Sequence, residues 1–113
     1  MPHGDDRHVV EIAVFKLKDG VTREQLLDTV DAVSEWAQRQ PGFVSRDLTY
    51  SGDEDNWIDV LWWESMDAAK TAAEVAMISE SCAPMFALID LESIQMLHGE
   101  RVTRALVRGA DVA

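Results

Sequence analysis

A single carboxylate, Asp59, interrupts an apolar stretch of the sequence, WIDVLWWE over residues 57–64. A charged group in such surroundings must be paired or held uncharged, because burial penalises the charged form. Arg46, in the segment before it, is the candidate partner. Together the two side chains could orient a substrate, or Asp59 could abstract a proton from it. The alternative is a structural ion pair or a solvent-exposed strand edge.

Glu11 and His98 are two further polar side chains in apolar surroundings. Glu11 interrupts the apolar run 9–17 and could join the network around Asp59 or lie at a subunit interface. His98 could act as a general base near neutral pH at the mouth of a pocket; the alternative is a surface histidine. The predicted catalytic residues are therefore Asp59, His98 and Arg46.

Large apolar side chains could line a substrate pocket beside these groups. Trp57 and Trp63 suit a core or a ligand platform. The segment that contains Cys82 could cover a pocket, although plain packing is the alternative. The residues predicted to contact substrate are Trp57, Trp63, Glu11, Met85 and Phe86. We predict no metal site, because Cys82 has no second cysteine beside it and the histidines are not clustered.

The secondary-structure signals have the order β-α-β-β-α-β. A capping box at Thr22 and Gln25 begins the first helix, which Pro41-Gly42 ends, and Ser65 begins the second. Strands are predicted at 9–17, 43–50, 57–64 and 91–98, with a short helical piece from Pro84 to Leu88. This order predicts an α+β ferredoxin-like domain with a four-stranded antiparallel sheet. The domain covers residues 1–98, ordered from about residue 9, and residues 99–113 form a tail.

Both faces of the predicted sheet are apolar. In the third strand Ile58, Val60 and Trp62 alternate with Trp57, Leu61 and Trp63. The helices can cover only one face, so a second copy of the chain is the simplest cover for the other. We expect a homodimer that binds a small apolar or aromatic ligand. A cavity of about 300 Å³ or more around Asp59 and Arg46 would support this expectation.

The overall charge excludes several kinds of partner. The net charge of −11 argues against nucleic acid, which requires a basic surface, and against anionic membranes. The sequence contains no run of about 18 apolar residues, so no transmembrane helix is predicted. The single Cys82 and the polar N-terminal segment favour a cytoplasmic protein.

Three segments resemble a known group of proteins. They are residues 15–21 (FKLKDGV), Gln40-Pro41-Gly42-Phe43, and residues 57–65 (WIDVLWWES), followed by an alanine-rich helix and His98. Over roughly residues 9–98 the chain resembles the dimeric α/β-barrel superfamily that contains the antibiotic-biosynthesis monooxygenases. The resemblance implies a barrel of two sheets with an apolar cavity in each subunit. Some members oxidise polycyclic aromatic compounds with molecular oxygen and no cofactor; others degrade haem, isomerise lactones or have no known activity.

The resemblance and the residues together suggest one main function and two alternatives. The haem-degrading members use a His on the second helix, and the second predicted helix here has none, which argues against haem. The main hypothesis is a cofactor-independent monooxygenase-like enzyme acting on a small aromatic or polyketide-like substrate. Asp59 or His98 would deprotonate the substrate, and Arg46 would stabilise the anion that reacts with oxygen. The alternatives are a non-catalytic small-molecule-binding dimer and a structural dimer whose core is filled.

Overall fold

The backbone folds into a single antiparallel sheet with helices on one face. A computed structural model describes residues 7–108; the start of the predicted leader (1–6) and the end of the predicted tail (109–113) lie outside that range. Within it the elements are β1 (Val9–Leu17), α1 (Arg23–Leu27), α2 (Val30–Gln38), β2 (Phe43–Ser51), β3 (Asn56–Trp63), α3 (Met66–Ala76), α4 (Ala83–Phe86) and β4 (Ile89–Glu100). The strand order is β2-β3-β1-β4, and every neighbouring pair is antiparallel. The ferredoxin-like prediction is confirmed.

The first predicted helix is divided in two. Its capping box is present: Gln25 N donates to Thr22 Oγ1 at 3.1 Å, and Thr22 N donates to Gln25 Oε1 at 2.8 Å. The helix then breaks at Asp28–Thr29, and the Thr29 hydroxyl donates to the carbonyl of Leu26 at 2.6 Å. A threonine hydroxyl that bonds the preceding turn competes with the regular helical pattern. The break leaves two short helices where the apolar periodicity alone predicted one.

The last strand differs most from its predicted bounds. β4 pairs with β1 as far as Glu100, so the first two residues of the predicted tail belong to the sheet. Gly99 looked like a strand end in the sequence, but it pairs with Val10 inside the ladder. Further back, the β1–β4 register shifts between Val14 and Lys16, where Lys16 N donates to Ser93 Oγ at 2.8 Å. This irregularity sets which β4 side chains face the helices.

The two sheet faces have different surroundings. Val9, Phe15, Trp57 and Trp63 point toward the helices and are buried in the core. On the opposite face, which no helix covers, the apolar side chains of β1 and β3 are only half-buried: Val10, Ile12, Val14, Ile58, Val60 and Trp62. The predicted alternation of the two faces is therefore correct. The buried carboxylates Glu11 and Asp59 both lie on the helix-covered face.

A close backbone approach holds α3 against the sheet. Gly42 has φ +82°, a left-handed conformation, and a Cβ added there would lie 2.6 Å from the Cβ of Ala68. Glu64 N donates to the Gly42 carbonyl at 2.7 Å. The Ser65 hydroxyl caps the helix by accepting from Ala68 N at 3.0 Å. Only glycine allows both this backbone conformation and this separation.

Candidate functional site

Arg46 and Asp59 form a bidentate ion pair under the helices. The β2–β3 register places Leu48 opposite Asp59, so Arg46 lies two residues away on the same face. Its Nε donates to Asp59 Oδ1 at 2.9 Å, and its Nη2 donates to Oδ2 at 2.7 Å. The two side chains are 4% and 10% exposed. Arg46, which the sequence suggested as the partner of Asp59, is thus its partner in the structure.

The remaining donors of Arg46 bind the helices. Its Nη1 donates to Ser34 Oγ at 3.0 Å and to the Val30 carbonyl at 3.4 Å, and its Nη2 lies 3.7 Å from Met85 Sδ. Both oxygens of Asp59 already accept from Arg46. Asp59 could accept a substrate proton only if this buried pair opened. The geometry thus fits the structural ion pair that the sequence left open as an alternative.

A second cluster joins Glu11, Trp63 and His98. β1 lies between β3 and β4, and Glu11 is opposite His98 in the β1–β4 ladder. The indole Nε1 of Trp63 donates to Glu11 Oε1 at 3.1 Å, and His98 Nε2 lies 3.2 Å from Glu11 Oε2. Sequence reasoning named all three residues but did not bring them together. Glu11 and His98 are 87 positions apart in the chain, and the register between β1 and β4 brings them together.

The second cluster has the geometry of a carboxylate–imidazole dyad. The Glu11 side chain is 8% exposed, whereas that of His98 is 23% exposed. Trp63 fixes one carboxylate oxygen, and the other can accept the Nε2 proton of His98. The lone pair on His98 Nδ1 is then available to an incoming group, because the tautomer is set by the partner of the other nitrogen. A buried carboxylate that orients a more exposed histidine is a common arrangement for proton transfer.

The two clusters are separate. β2 and β4 have β3 and β1 between them, and neighbouring strands are about 4.8 Å apart, so their backbones are about 14 Å apart. The donors of Arg46 point toward Asp59 and α2. The predicted catalytic residues Asp59, His98 and Arg46 therefore divide into a closed ion pair and a partly exposed dyad.

Most of the predicted substrate-contacting side chains pack in the core. Trp57 and Met85 are buried, and Phe86 packs against the core while half-buried. Cys82 is also buried, and burial raises the pKa of its thiol. Trp63 is buried too, although its indole N–H serves the dyad. Their positions match the packing alternative, except that Trp57 also lines the larger of two surface grooves.

One groove lies at the end of the sheet near the β2–β3 turn. It measures about 380 Å³ and is lined in part by Lys18, Arg23, Tyr50, Asp55 and Trp57. The Arg23 guanidinium carbon lies 5.3 Å from the ring centroid of Trp57 and 5.7 Å from that of Tyr50. The Tyr50 hydroxyl donates to Asp55 Oδ1 at 2.7 Å, and this hydrogen bond raises the pKa of Tyr50. Sequence reasoning named Trp57 as a substrate-contacting residue but did not place it beside Arg23 and Tyr50.

A second groove lies between the first two helices and β2. It measures about 250 Å³ and is lined by Leu27, Val30, Ser34, Arg46 and Leu48. Neither groove is lined by both Asp59 and Arg46, because the guanidinium group covers the carboxylate. Sequence reasoning also missed Ser34. Its spacing from Val30 and Ala37 places it on the apolar side of α2, which is an available signal for a polar side chain facing the sheet.

Comparison with known proteins gives the same architecture. No family model and no curated protein matches the chain. Among solved structures, SnoaB, a cofactor-independent oxygenase from Streptomyces nogalater, is 19% identical with a TM-score of 0.65, covering 90% of this chain and 98% of its own. A provisionally assigned antibiotic biosynthesis monooxygenase from Bordetella bronchiseptica is 19% identical with a TM-score of 0.69, covering 86% and 99%. The chain has the fold of the antibiotic biosynthesis monooxygenases.

A third solved structure shares this fold. Rv0793 from Mycobacterium tuberculosis is 19% identical with a TM-score of 0.66, covering 88% of this chain and 99% of its own. The resemblance inferred from the Pro-Gly-Phe and Trp-Glu-Ser segments is thus confirmed at the level of the fold. Identities this low establish the fold alone, and the chemistry must be argued from the side chains. None of the helices in residues 7–108 has the length and apolar character needed to span a membrane.

Proposed function

We propose that the chain is a cofactor-independent, oxygenase-type enzyme that oxidises a small aromatic or polyketide-like compound, with His98 as the proton acceptor. The observation that carries the proposal is the hydrogen-bonded chain Trp63–Glu11–His98, which engages His98 through Nε2 and leaves its Nδ1 without a hydrogen bond to any of residues 7–108. Met96 lies two residues away on the same strand face and is 47% exposed, which gives an aromatic ring an apolar surface beside the imidazole. The fold similarity to an oxygenase adds support by analogy.

The chemistry requires an acidic C–H group in the substrate. His98 removes a proton from a methylene carbon flanked by aromatic or carbonyl groups, and the carbanion adds to molecular oxygen to form a peroxide anion. The protonated His98 returns the proton, and the hydroperoxide loses water to leave a carbonyl group. In sum, R₂CH₂ and O₂ give R₂C=O and H₂O. The substrate supplies all the electrons, so the proposal includes no cofactor and no metal.

Glu11 is the positioning residue in this scheme. Its buried carboxylate lies 3.2 Å from the His98 Nε2, where a negative charge stabilises the imidazolium that forms during the reaction. The Trp63 indole N–H holds the other carboxylate oxygen and so fixes the direction of the hydrogen bond to His98. A positioned general base typically contributes about 10²–10⁴-fold to the rate.

Oxygen consumption tests the proposal. Anthrone and 1,8-dihydroxyanthrone, which both carry such a methylene group between two aromatic rings, serve as probes, with the uncatalysed oxidation subtracted. We expect oxygen uptake by the wild-type protein, and a fall in kcat of about 10²-fold or more for His98→Gln, which keeps a hydrogen bond to Glu11 but cannot take the proton. His8→Gln is the matched control. Equal rates for the two variants would exclude His98 as the base, and binding of the probes without turnover would support the non-catalytic alternative.

A homodimer that covers the open sheet face is part of the proposal. Ile12 and Val60 pair at the centre of this face, and Leu97 beside them is 63% exposed. A second copy related by a two-fold axis would bury these side chains. At the edge of the same face, the Arg101 guanidinium carbon lies 4.4 Å from the ring centroid of Trp62, so the start of the tail adjoins the proposed interface. A cytoplasmic location completes the proposal, because the lone cysteine is a free thiol.

Sedimentation tests the dimer. We expect the wild-type protein to sediment as a dimer at micromolar concentration. Ile12→Asp places a charge in the middle of the apolar face and should shift the population to monomer, since burying an unpaired charge is strongly unfavourable. Leu106→Asp, in the exposed tail, is the matched control. A stable wild-type monomer at that concentration would refute the proposed dimer.

A further inference from the structure

We propose that the groove at the end of the sheet beside the β2–β3 turn, here named the turn groove, binds a zwitterionic α-amino acid with a short aliphatic side chain. The turn groove has a volume of about 380 Å³ and is lined in part by Leu17, Lys18, Asp19, Arg23, Asp55 and Trp57. This volume is at the lower end of the range of about 300–1,000 Å³ that small-molecule sites span, so the ligand is small.

The turn groove is separate from the His98 dyad. Leu17 lies six residues from Glu11 on β1, and Trp57 lies six residues from Trp63 on β3. At about 3.3 Å per residue, the groove and the dyad are about 20 Å apart along the strands. The inference therefore does not depend on the oxygenase proposal.

The four charged side chains that line the turn groove balance one another. Lys18 and Arg23 are basic, and Asp19 and Asp55 are acidic. The whole chain has a net charge of −11, so a lone anion is repelled by the field of the protein. A lone cation pairs with the acids but also faces both bases. A ligand that carries one charge of each sign has no net repulsion and pairs with both signs in the groove.

Arg23 supplies the carboxylate-binding end of the groove. Its guanidinium carbon lies over two aromatic rings, 5.3 Å from the centroid of Trp57 and 5.7 Å from that of Tyr50. Trp57 is 5% exposed, so its ring is a fixed support for the arginine. A guanidinium group that stacks on a ring keeps its N–H groups in its own plane, where they can bind both oxygens of a carboxylate. Lys18, on the loop after β1, adds a second positive charge to the lining.

Asp55 supplies the ammonium-binding end. The Tyr50 hydroxyl donates to its Oδ1 at 2.7 Å, and the carboxylate has further acceptor positions on Oδ2. Lys16 fixes the turn that carries Asp55, because its Nζ donates to the backbone carbonyls of Glu54 and Asp55 at 2.6 and 3.3 Å. Tyr50 thus contacts Arg23 through its ring and Asp55 through its hydroxyl, so the cation and the carboxylate lie on either side of one side chain.

The remaining surface of the groove suits a short aliphatic chain. Leu17 ends β1, and Val21 directly precedes the helix cap at Thr22; both line the groove and are half-buried. An aliphatic side chain on the ligand removes part of this apolar surface from water. Leucine is the probe that presents all three features, namely a carboxylate, an ammonium group and a branched hydrocarbon chain.

Three compounds with one hydrocarbon skeleton test the proposal: L-leucine, 4-methylpentanoate, which lacks the ammonium group, and 3-methylbutylamine, which lacks the carboxylate. Binding to the full chain is measured by NMR titration. We expect L-leucine to bind about fivefold more tightly than either analogue, which is the effect of one well-placed ion pair with access to water. An analogue that binds as tightly as L-leucine, or no saturable binding of L-leucine at about 10 mM, would overturn the proposal.

Two variants assign the two charges of the ligand to the two ends of the groove. Arg23→Gln should lower the affinity for L-leucine and 4-methylpentanoate about fivefold and should not weaken 3-methylbutylamine. Asp55→Asn should weaken L-leucine and 3-methylbutylamine instead, and asparagine accepts the left-handed backbone that Asp55 has at φ 55°. Arg23 and Asp55 are exposed, so both variants should keep the fold.

Matched controls remove the same charges elsewhere. Arg39→Gln changes the exposed residue that ends α2, and Asp53→Asn changes an exposed residue of the same turn as Asp55; neither lines the groove. Each control changes the net charge as its counterpart does, so a general effect of the protein's field would appear in both. Equal effects of Arg23→Gln and Arg39→Gln, or of Asp55→Asn and Asp53→Asn, would contradict the assignment.

Discussion

Replacing one partner of the buried Arg46–Asp59 pair should destabilise the protein more than replacing both partners with apolar residues. Asp59→Leu leaves the Arg46 side chain, which is 4% exposed in the wild-type protein, without a counter-charge. Removal of one partner of a buried pair typically costs about 3–5 kcal/mol. Arg46 keeps its bonds to Ser34 Oγ and the Val30 carbonyl, so we expect the lower end, about 3 kcal/mol. At about 4 °C per kcal/mol for a domain of this size, the Tm should fall by about 12 °C.

The double variant Arg46→Met/Asp59→Leu separates the cost of an unpaired charge from the worth of the pair. Apolar residues of similar volume often replace a buried ion pair at little cost, so the double variant should unfold within about 1 kcal/mol of wild type. The assay is urea unfolding, with the m value checked for two-state behaviour. Asp53→Leu, in the exposed β2–β3 turn, is the control and should change stability by less than about 0.5 kcal/mol.

Two results would refute this reasoning. One is a loss of less than about 1 kcal/mol in the free energy of unfolding for Asp59→Leu. That result would mean that the unpaired Arg46 charge is not costly in the folded protein. The other is a double variant no more stable than Asp59→Leu. The double variant also bears on mechanism: with His98 as the proton acceptor, it should retain oxygen uptake, whereas a catalytic Asp59 would make it inactive.

Three further outcomes follow from local geometry. Gly42→Ala should lower stability by about 1–3 kcal/mol in a urea titration, because the new Cβ meets Ala68 at 2.6 Å and the backbone is left-handed. Tyr50 is the only tyrosine in the sequence, so its ultraviolet titration is unambiguous; its pKa is raised by the hydrogen bond to Asp55, and Asp55→Asn should lower the midpoint. The stabilisation linked to Tyr50 is present below its unfolded-state pKa and is lost as pH rises through its raised folded-state pKa. An unchanged titration midpoint in Asp55→Asn would contradict the Tyr50–Asp55 hydrogen bond. Burial raises the pKa of the Cys82 thiol, and 5,5′-dithiobis(2-nitrobenzoate) should modify it only as fast as the protein unfolds; rapid modification of the folded protein would show that the thiol is accessible.

The division of the predicted catalytic residues into two clusters changes the roles that they can have. Arg46 and Asp59 tie β2 and β3 to α2, so their substitution acts first on stability. Glu11 and His98 share a hydrogen bond on the same face of the sheet but toward its opposite edge, where the imidazole is partly exposed. A loss of activity in an Asp59 variant is therefore informative only beside a measurement of folding.

The sequence by itself determined the order of the elements and the faces of the central strands. Side-chain alternation along a strand is a local property, so the run WIDVLWWE was enough to put Trp57, Asp59 and Trp63 on one face. Helix starts are local as well, and the caps at Thr22 and Ser65 are present as predicted.

Only the tertiary structure decided which polar side chains meet. Glu11 and His98 are brought together by a β1–β4 register that includes a shift near Lys16, and register between distant strands is not encoded in either strand alone. The contact of Arg46 with Ser34 likewise depends on how α2 lies across β2. α2 begins directly after the helix break at Thr29. Packing between elements far apart in the chain sets both contacts, so both appear only once the sheet is assembled.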